Sequence, residues 1–213
     1  FYDNVIYWKT LQLASSLGVT QINQSYLDDL KTRILKTFWY AKGGYFLNDL
    51  SGSSLQNKTY SSDWLIVLPT AFISPSVPTE EKYFQESATY IEKNKLDQPF
   101  PLRYQLTLAK NDEFSPVAIF VPEYGQNAIW SYWGTEYIKV LLGLYQQTKN
   151  PLYLQRADIF IAKYKQNIVV NKGFPEVYDS KGNYLQNFFY KSIRQTGWVV
   201  DFEDVLYLRS LLR

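Results

Sequence analysis

The chain contains no histidine, no cysteine and no methionine in its 213 residues. Without histidine there can be no Ser-His-Asp triad, no imidazole general base and no His-ligated zinc. Without cysteine there is no disulfide framework, no thiolate nucleophile and no thiolate metal site. Any proton transfer must then fall to Asp, Glu, Tyr or Lys. A phosphate-binding glycine loop and a dinucleotide fingerprint are missing too, so neither a metal nor a cofactor is expected. Long apolar runs are also lacking. The longest falls well short of the ~20 residues of a membrane span, and no transmembrane helix is expected. Lys and Arg are interleaved with Asp and Glu at a net charge of +2, which leaves no footprint for nucleic acid or a membrane surface. The sequence opens at Phe1 with neither an initiator Met nor a basic-then-apolar leader. That predicts a cut precursor or a piece of something longer.

What is present is ordinary in bulk and unusual in one respect. Hydrophobic residues make up 46% and charged residues 20%, as in soluble globular proteins, and the length suits one domain, 1–213, or part of a larger one. Aromatic residues reach 18%, with 19 Tyr and 6 Trp. They are either an aromatic-rich core or a set of platforms that stack on sugar faces while their polar ends hydrogen-bond.

Apolar spacing predicts helices over 4–17 and from Ser25, as cap, to just before Gly43-Gly44. Further helices are predicted over 62–72, from Thr79 as cap to about 93, over 131–147, and from Pro151 to about 168. A last helix is predicted from about 196 to 212. Residues 45–60 read as an irregular, hairpin-like connection, and 95–129 as a long irregular stretch with short strands at 102–108 and 117–121. No fixed-period repeat is present. About seven helices with alternating short and long connections predict an all-α fold, a toroid of helical hairpins with its long loops on one face.

The stretch 173–198 is much longer than the roughly 2–8 residues that usually join packed helices. Its aromatics (Phe174, Tyr178, Tyr184, Phe188, Phe189, Tyr190, Trp198) argue against disorder, and Glu176 lies among them. Phe174-Pro175-Glu176-Val177-Tyr178-Asp179, then Gly182 and Thr196-Gly197-Trp198, resembles the C-terminal signature of six-hairpin (α/α)6 glycosidases. The nearest are the processing α-glucosidase-like enzymes of glycoside hydrolase family 63 and the glycogen-debranching glucosidases. Gly44-Tyr45 through Asp49, with Ser62-Asp63-Trp64 through Pro69, is similar to that family's hairpin and following helix. Tyr124 through Trp130, with the helix containing Gly143-Leu144-Tyr145, is similar to its Tyr-Trp-Arg-Gly-Pro-Val-Trp segment. Gln126 and Asn127 stand where the family has Arg and Gly.

The resemblance implies the C-terminal half of a toroid, about seven of twelve helices, that hydrolyses α-glucosidic or related linkages with inversion. Glu176 would be the general base, and the general acid would lie before Phe1. Trp130, Trp198 and Tyr178 would be sugar platforms, Gln126 and Asn127 partners for sugar hydroxyls, and Glu136 part of the polar surroundings. Bland alternatives stand beside each of these. Glu176 could be an exposed acid pairing with Lys172 or Lys181, the rings could be core, and Gln126 and Asn127 could satisfy loop backbone. Asp63 suits a helix N-terminus and Asp49 a turn better than either suits an acid partner, and Glu203 and Asp204 read as a solvated or ion-paired face. The partners expected are an oligosaccharide or glucoside substrate and an N-terminal half or second protomer, since a half-toroid exposes apolar flanks. The alternative function is a non-catalytic carbohydrate-binding or helical interaction module.

Overall fold

A computed structural model describes residues 1–52, 58–105, 119–121 and 123–212. Within them the chain is mostly helical, an all-α architecture with two small two-stranded sheets. Helix α1, Tyr2–Ser16, packs against α2, Gln24–Phe38. The side chain of Asn23, not Ser25, caps α2 by accepting from the Ser25 N–H at 2.9 Å. The helix stops at Phe38, short of the glycines, because Trp39–Tyr40 (β1) turns back on Tyr45–Phe46 (β2) as an antiparallel hairpin.

The helix expected over 62–72 is instead a 3₁₀ helix, Ser62–Val67. Trp64, Leu65, Ile66 and Val67 are all buried, so this run has no alternating solvent face, and Ala71 at φ 54° closes the stretch that follows. Helix α3, Glu81–Lys93, starts later than predicted, and Glu80 rather than Thr79 precedes it. The Glu80 carboxylate accepts from Ser74 N–H at 2.8 Å and pairs with Lys31 at 2.6 Å, tying α3 to α2.

Helix α4, Ser131–Thr148, is the hub. It is buried almost all round and packs against α3, the 3₁₀ helix, α5 (Pro151–Asn171) and α6 (Val199–Leu211). The start of α5 is as the sequence predicts, with Pro151 at the first turn and the Asn150 side chain accepting from Leu152 N–H at 3.1 Å. Gly134 lets α4 touch its neighbours. A Cβ there would lie 1.9 Å from the Tyr164 hydroxyl and 2.4 Å from the Pro101 carbonyl.

The second sheet pairs Ile129–Trp130 (β3) with Val177–Tyr178 (β4), with Ile129 opposite Tyr178 and Trp130 opposite Val177. Arg103 bridges to Ile129 as well, but the other described residues of the strands expected at 102–108 and 117–121 form no strand, 119–120 being helical; 106–108 and 117–118 lie outside the described residues. Among the described residues, no helix is long and apolar enough to cross a membrane.

Candidate active site

The β3–β4 pairing brings the two halves of the site together. It sets Trp130, at the start of α4, beside Glu176, in the loop after α5. Ser131 completes the join: its N–H donates to the Glu176 carbonyl at 3.0 Å, and its hydroxyl donates to the Pro175 carbonyl at 2.5 Å. From the other side, Glu176 N–H donates to the Ile193 carbonyl at 2.8 Å. The Glu176 backbone is therefore fixed on both edges while its half-exposed side chain projects free of them.

The Glu176 carboxylate pairs with neither Lys172 nor Lys181. Its Oε2 accepts from the Tyr190 hydroxyl at 3.1 Å. Tyr190 packs edge-on against Tyr124 at 5.2 Å, and Tyr124 against Trp130 at 4.8 Å. Burial first, and then the Glu176 charge, push the Tyr124 and Tyr190 hydroxyls up, so both stay protonated and able to donate. A small apolar cluster of Val121, Ala128, Val177 and Leu185 lies beneath these rings. Trp130 continues the run to Trp198 at 6.2 Å, and Trp198 to Tyr132 at 5.6 Å. The indole N–H of Trp130 donates to the Tyr124 carbonyl at 3.0 Å, which fixes the ring's orientation.

On its other side Trp130 meets Tyr104 at 5.9 Å, whose hydroxyl donates to Asp63 Oδ2 at 3.0 Å. Glu176 and Asp63 thus stand at the two ends of one continuous set of aromatic contacts. Desolvation raises the Asp63 carboxyl above the usual carboxylate range, against the lowering effect of its bonds to Ser61 and Tyr104. Asp49 serves a turn, accepting from Ser51 N–H at 2.7 Å.

The remaining expected site residues differ in burial and partners. Tyr178 is a correction: it is fully buried, with its ring edge-on to Phe100 at 4.9 Å, so no face is left for a sugar. Glu136 is buried and ion-paired to Lys139 at 2.7 Å, with Asp201 and Asp204 on the far side of the same lysine. It lies one helical turn behind Tyr132, whose hydroxyl its charge pushes up, second to burial. Gln126 and Asn127 are half-exposed on the turn preceding β3, where the Gln126 carbonyl accepts from Gln105 N–H at 2.8 Å. Asp204 is ion-paired and Glu203 exposed.

Sequence reasoning misses Tyr104, and it gives Tyr190 and Tyr124, though named in the loop and in a motif, no site role. Tyr190 comes 14 residues after Glu176, beyond any local periodicity, and only the folded loop returns it. That loop is well pinned. Asp179 accepts from the N–H groups of Lys181 and Asn183 at 2.9 and 2.8 Å, and Glu123 accepts from Ser180. Asn187 turns the tip, which presents Phe188 94% exposed at the rim. Among the described residues, no group of three or more acidic side chains is placed to hold a metal ion.

No family model matches the chain, and no curated protein sequence matches it. A solved structure of D-mannose isomerase aligns with 99% of this chain and 70% of its own, at 12% identity and a TM-score of 0.37. That likeness is too slight to carry an argument about fold or activity.

Proposed function

We propose that the chain is a glycoside hydrolase of the (α/α)6-toroid type, or the C-terminal part of one, acting on α-glucosidic or related linkages with inversion. The toroid, the linkage and inversion are what the resemblance of residues 174–198 implies; the observation that carries the general-base role is the Glu176 carboxylate, held by the Tyr190 hydroxyl at 3.1 Å on the edge of the Tyr124–Trp130–Trp198 ring cluster. A carboxylate with one oxygen oriented keeps the other available to take a proton from water, as a general base must. Trp130 and Trp198 give the apolar faces on which a pyranose ring stacks. Inverting hydrolysis needs a second carboxyl group roughly 6.5–9.5 Å away to protonate the leaving oxygen. On this reading the acid comes from sequence preceding Phe1, and the exposed apolar side chains Val169, Val170, Tyr207 and Leu211 on α5 and α6 pack against the other half of the toroid.

Hydrolysis of aryl α-glucosides whose phenolate departs without protonation, so that an acid outside this chain is not required, tests the proposal with Glu176→Gln alongside. The variant should lose about 10²–10⁴-fold in kcat, and the first-formed sugar should be the β anomer. Unchanged turnover in Glu176→Gln would remove the base. No turnover by the native chain, with glucoside binding retained, would favour the non-catalytic carbohydrate-binding module.

A further inference from the structure

An open groove of about 680 Å³ lies between the β1–β2 hairpin, α3 and the start of α5, and it shares no residue with the Glu176 cluster. Its walls carry Tyr40, Tyr45, Tyr90 and Tyr153 with Gln85 and Glu86. The hairpin's glycines shape the floor. A Cβ on Gly43 would strike the rings of Tyr40 and Tyr45 at 2.4 Å, and one on Gly44 would come within 3.2 Å of Glu86 Cβ. Tyr45 and Tyr90 are locked together, with centroids 4.2 Å apart and the Tyr45 hydroxyl donating to the Lys58 carbonyl at 2.5 Å. By contrast, the Tyr40 and Tyr153 hydroxyls and the exposed Glu86 carboxylate have no hydrogen-bond partner among the described residues.

Four phenol rings, an amide and a carboxylate in a groove of this size suit a ligand that offers flat apolar faces edged with hydroxyls. Lys42 and Lys93 on the same walls offset Glu86, so the groove has no strong field for an anionic polymer. We infer that it is a second carbohydrate-binding site, for a neutral α-linked gluco-oligosaccharide, at the opposite end of the helix layer from Glu176. Tyr153 stands at the beginning of α5 and Glu176 follows its end, a separation of ~27 Å along the helix axis at 1.5 Å per residue. The choice of ligand rests on the glycosidase reading; the location does not. A remote site of this kind holds a polymeric substrate near the enzyme without touching the reacting bond.

Native electrophoresis of the full chain in gels containing soluble starch tests the inference. The native chain and Glu176→Gln should be retarded equally. Tyr153→Ala should weaken the apparent affinity about 3- to 10-fold, and Glu86→Ala, at an exposed position the core does not need, should also weaken it. Tyr153→Ala should leave aryl glucoside hydrolysis unchanged. An unretarded native chain, or retardation that both variants retain in full, would overturn the proposal. Retardation abolished by Trp130→Ala alone would place the glucan at the Glu176 site and overturn it equally. Failure of the hydrolase reading is separately visible, as retardation without aryl glucoside turnover.

Discussion

At Asp63 burial and charge pull in opposite directions. Desolvation raises the carboxyl most, the Ser61 and Tyr104 hydrogen bonds lower it, and Asp3 raises it again. The net direction is up, and the sign of its effect on stability follows from that. Between the ordinary carboxylate value and the raised one, the folded chain holds a proton that the unfolded chain has released, so stability falls as pH rises through this window. An asparagine in its place would carry no such penalty and would still accept from Tyr104. Asp63→Asn should therefore melt higher than the native chain at pH 7, and the gain should vanish as pH falls below the ordinary carboxylate range. Thermal melts at stepped pH measure this. A constant difference across pH would mean that the side chain titrates as it does in water.

At the scale of elements, the site depends on how α4 begins. Ser131 is fully buried and spends both its N–H and its hydroxyl on the 175–176 backbone. Removing the hydroxyl leaves the Pro175 carbonyl without its donor, a cost of about 1–3 kcal/mol, and loosens the strand that carries Glu176. Ser131→Ala should lower stability by that amount in urea titrations. If the hydrolase reading is right, it should also lower kcat more than it changes KM, because the base shifts while the stacking rings stay. Why part of this was legible in the sequence is clear from the same elements. Helices α4 and α5 carry long apolar stripes, and α5 opens on Asn150-Pro151, so local rules suffice. The 3₁₀ helix is a short polar pair followed by four buried apolar residues and has no period to read. Strands β3 and β4 are two residues each, too short for alternation to register. Glu176 and Trp130 could be singled out by motif. Tyr190 and Tyr104 reach the site only through long-range pairing, whereas Tyr124 packs on the nearby Trp130, and Tyr178, one step along β4 from Val177, faces the core because successive residues of a strand point to opposite sides.

Across the whole molecule, Arg156 joins more of the chain than any motif suggests. From α5 its guanidinium donates to Asp97 at 2.8 Å and to the Tyr137 hydroxyl of α4 at 2.7 Å, and it also reaches Glu92 of α3 at 2.9 Å. Asp97 is buried, and desolvation raises its carboxyl, with Arg156 supplying the main opposing pull. The Glu92 contact is largely exposed and worth little by comparison. Removing the guanidinium therefore does more than delete an ion pair, because it strands a carboxylate and a phenol in the interior where three helices meet. Arg156→Met keeps the aliphatic stem and should cost about 3–5 kcal/mol, read from denaturant unfolding. Asp97→Asn in the same chain removes the stranded charge. The double variant should recover part of the loss, giving a coupling energy between the sites on the order of 1–3 kcal/mol. Strictly additive losses would show that Arg156 acts through the packing of its stem and not through Asp97. Recovery would show that the charge pair, more than the apolar contacts around it, sets how α3, α4 and α5 dock.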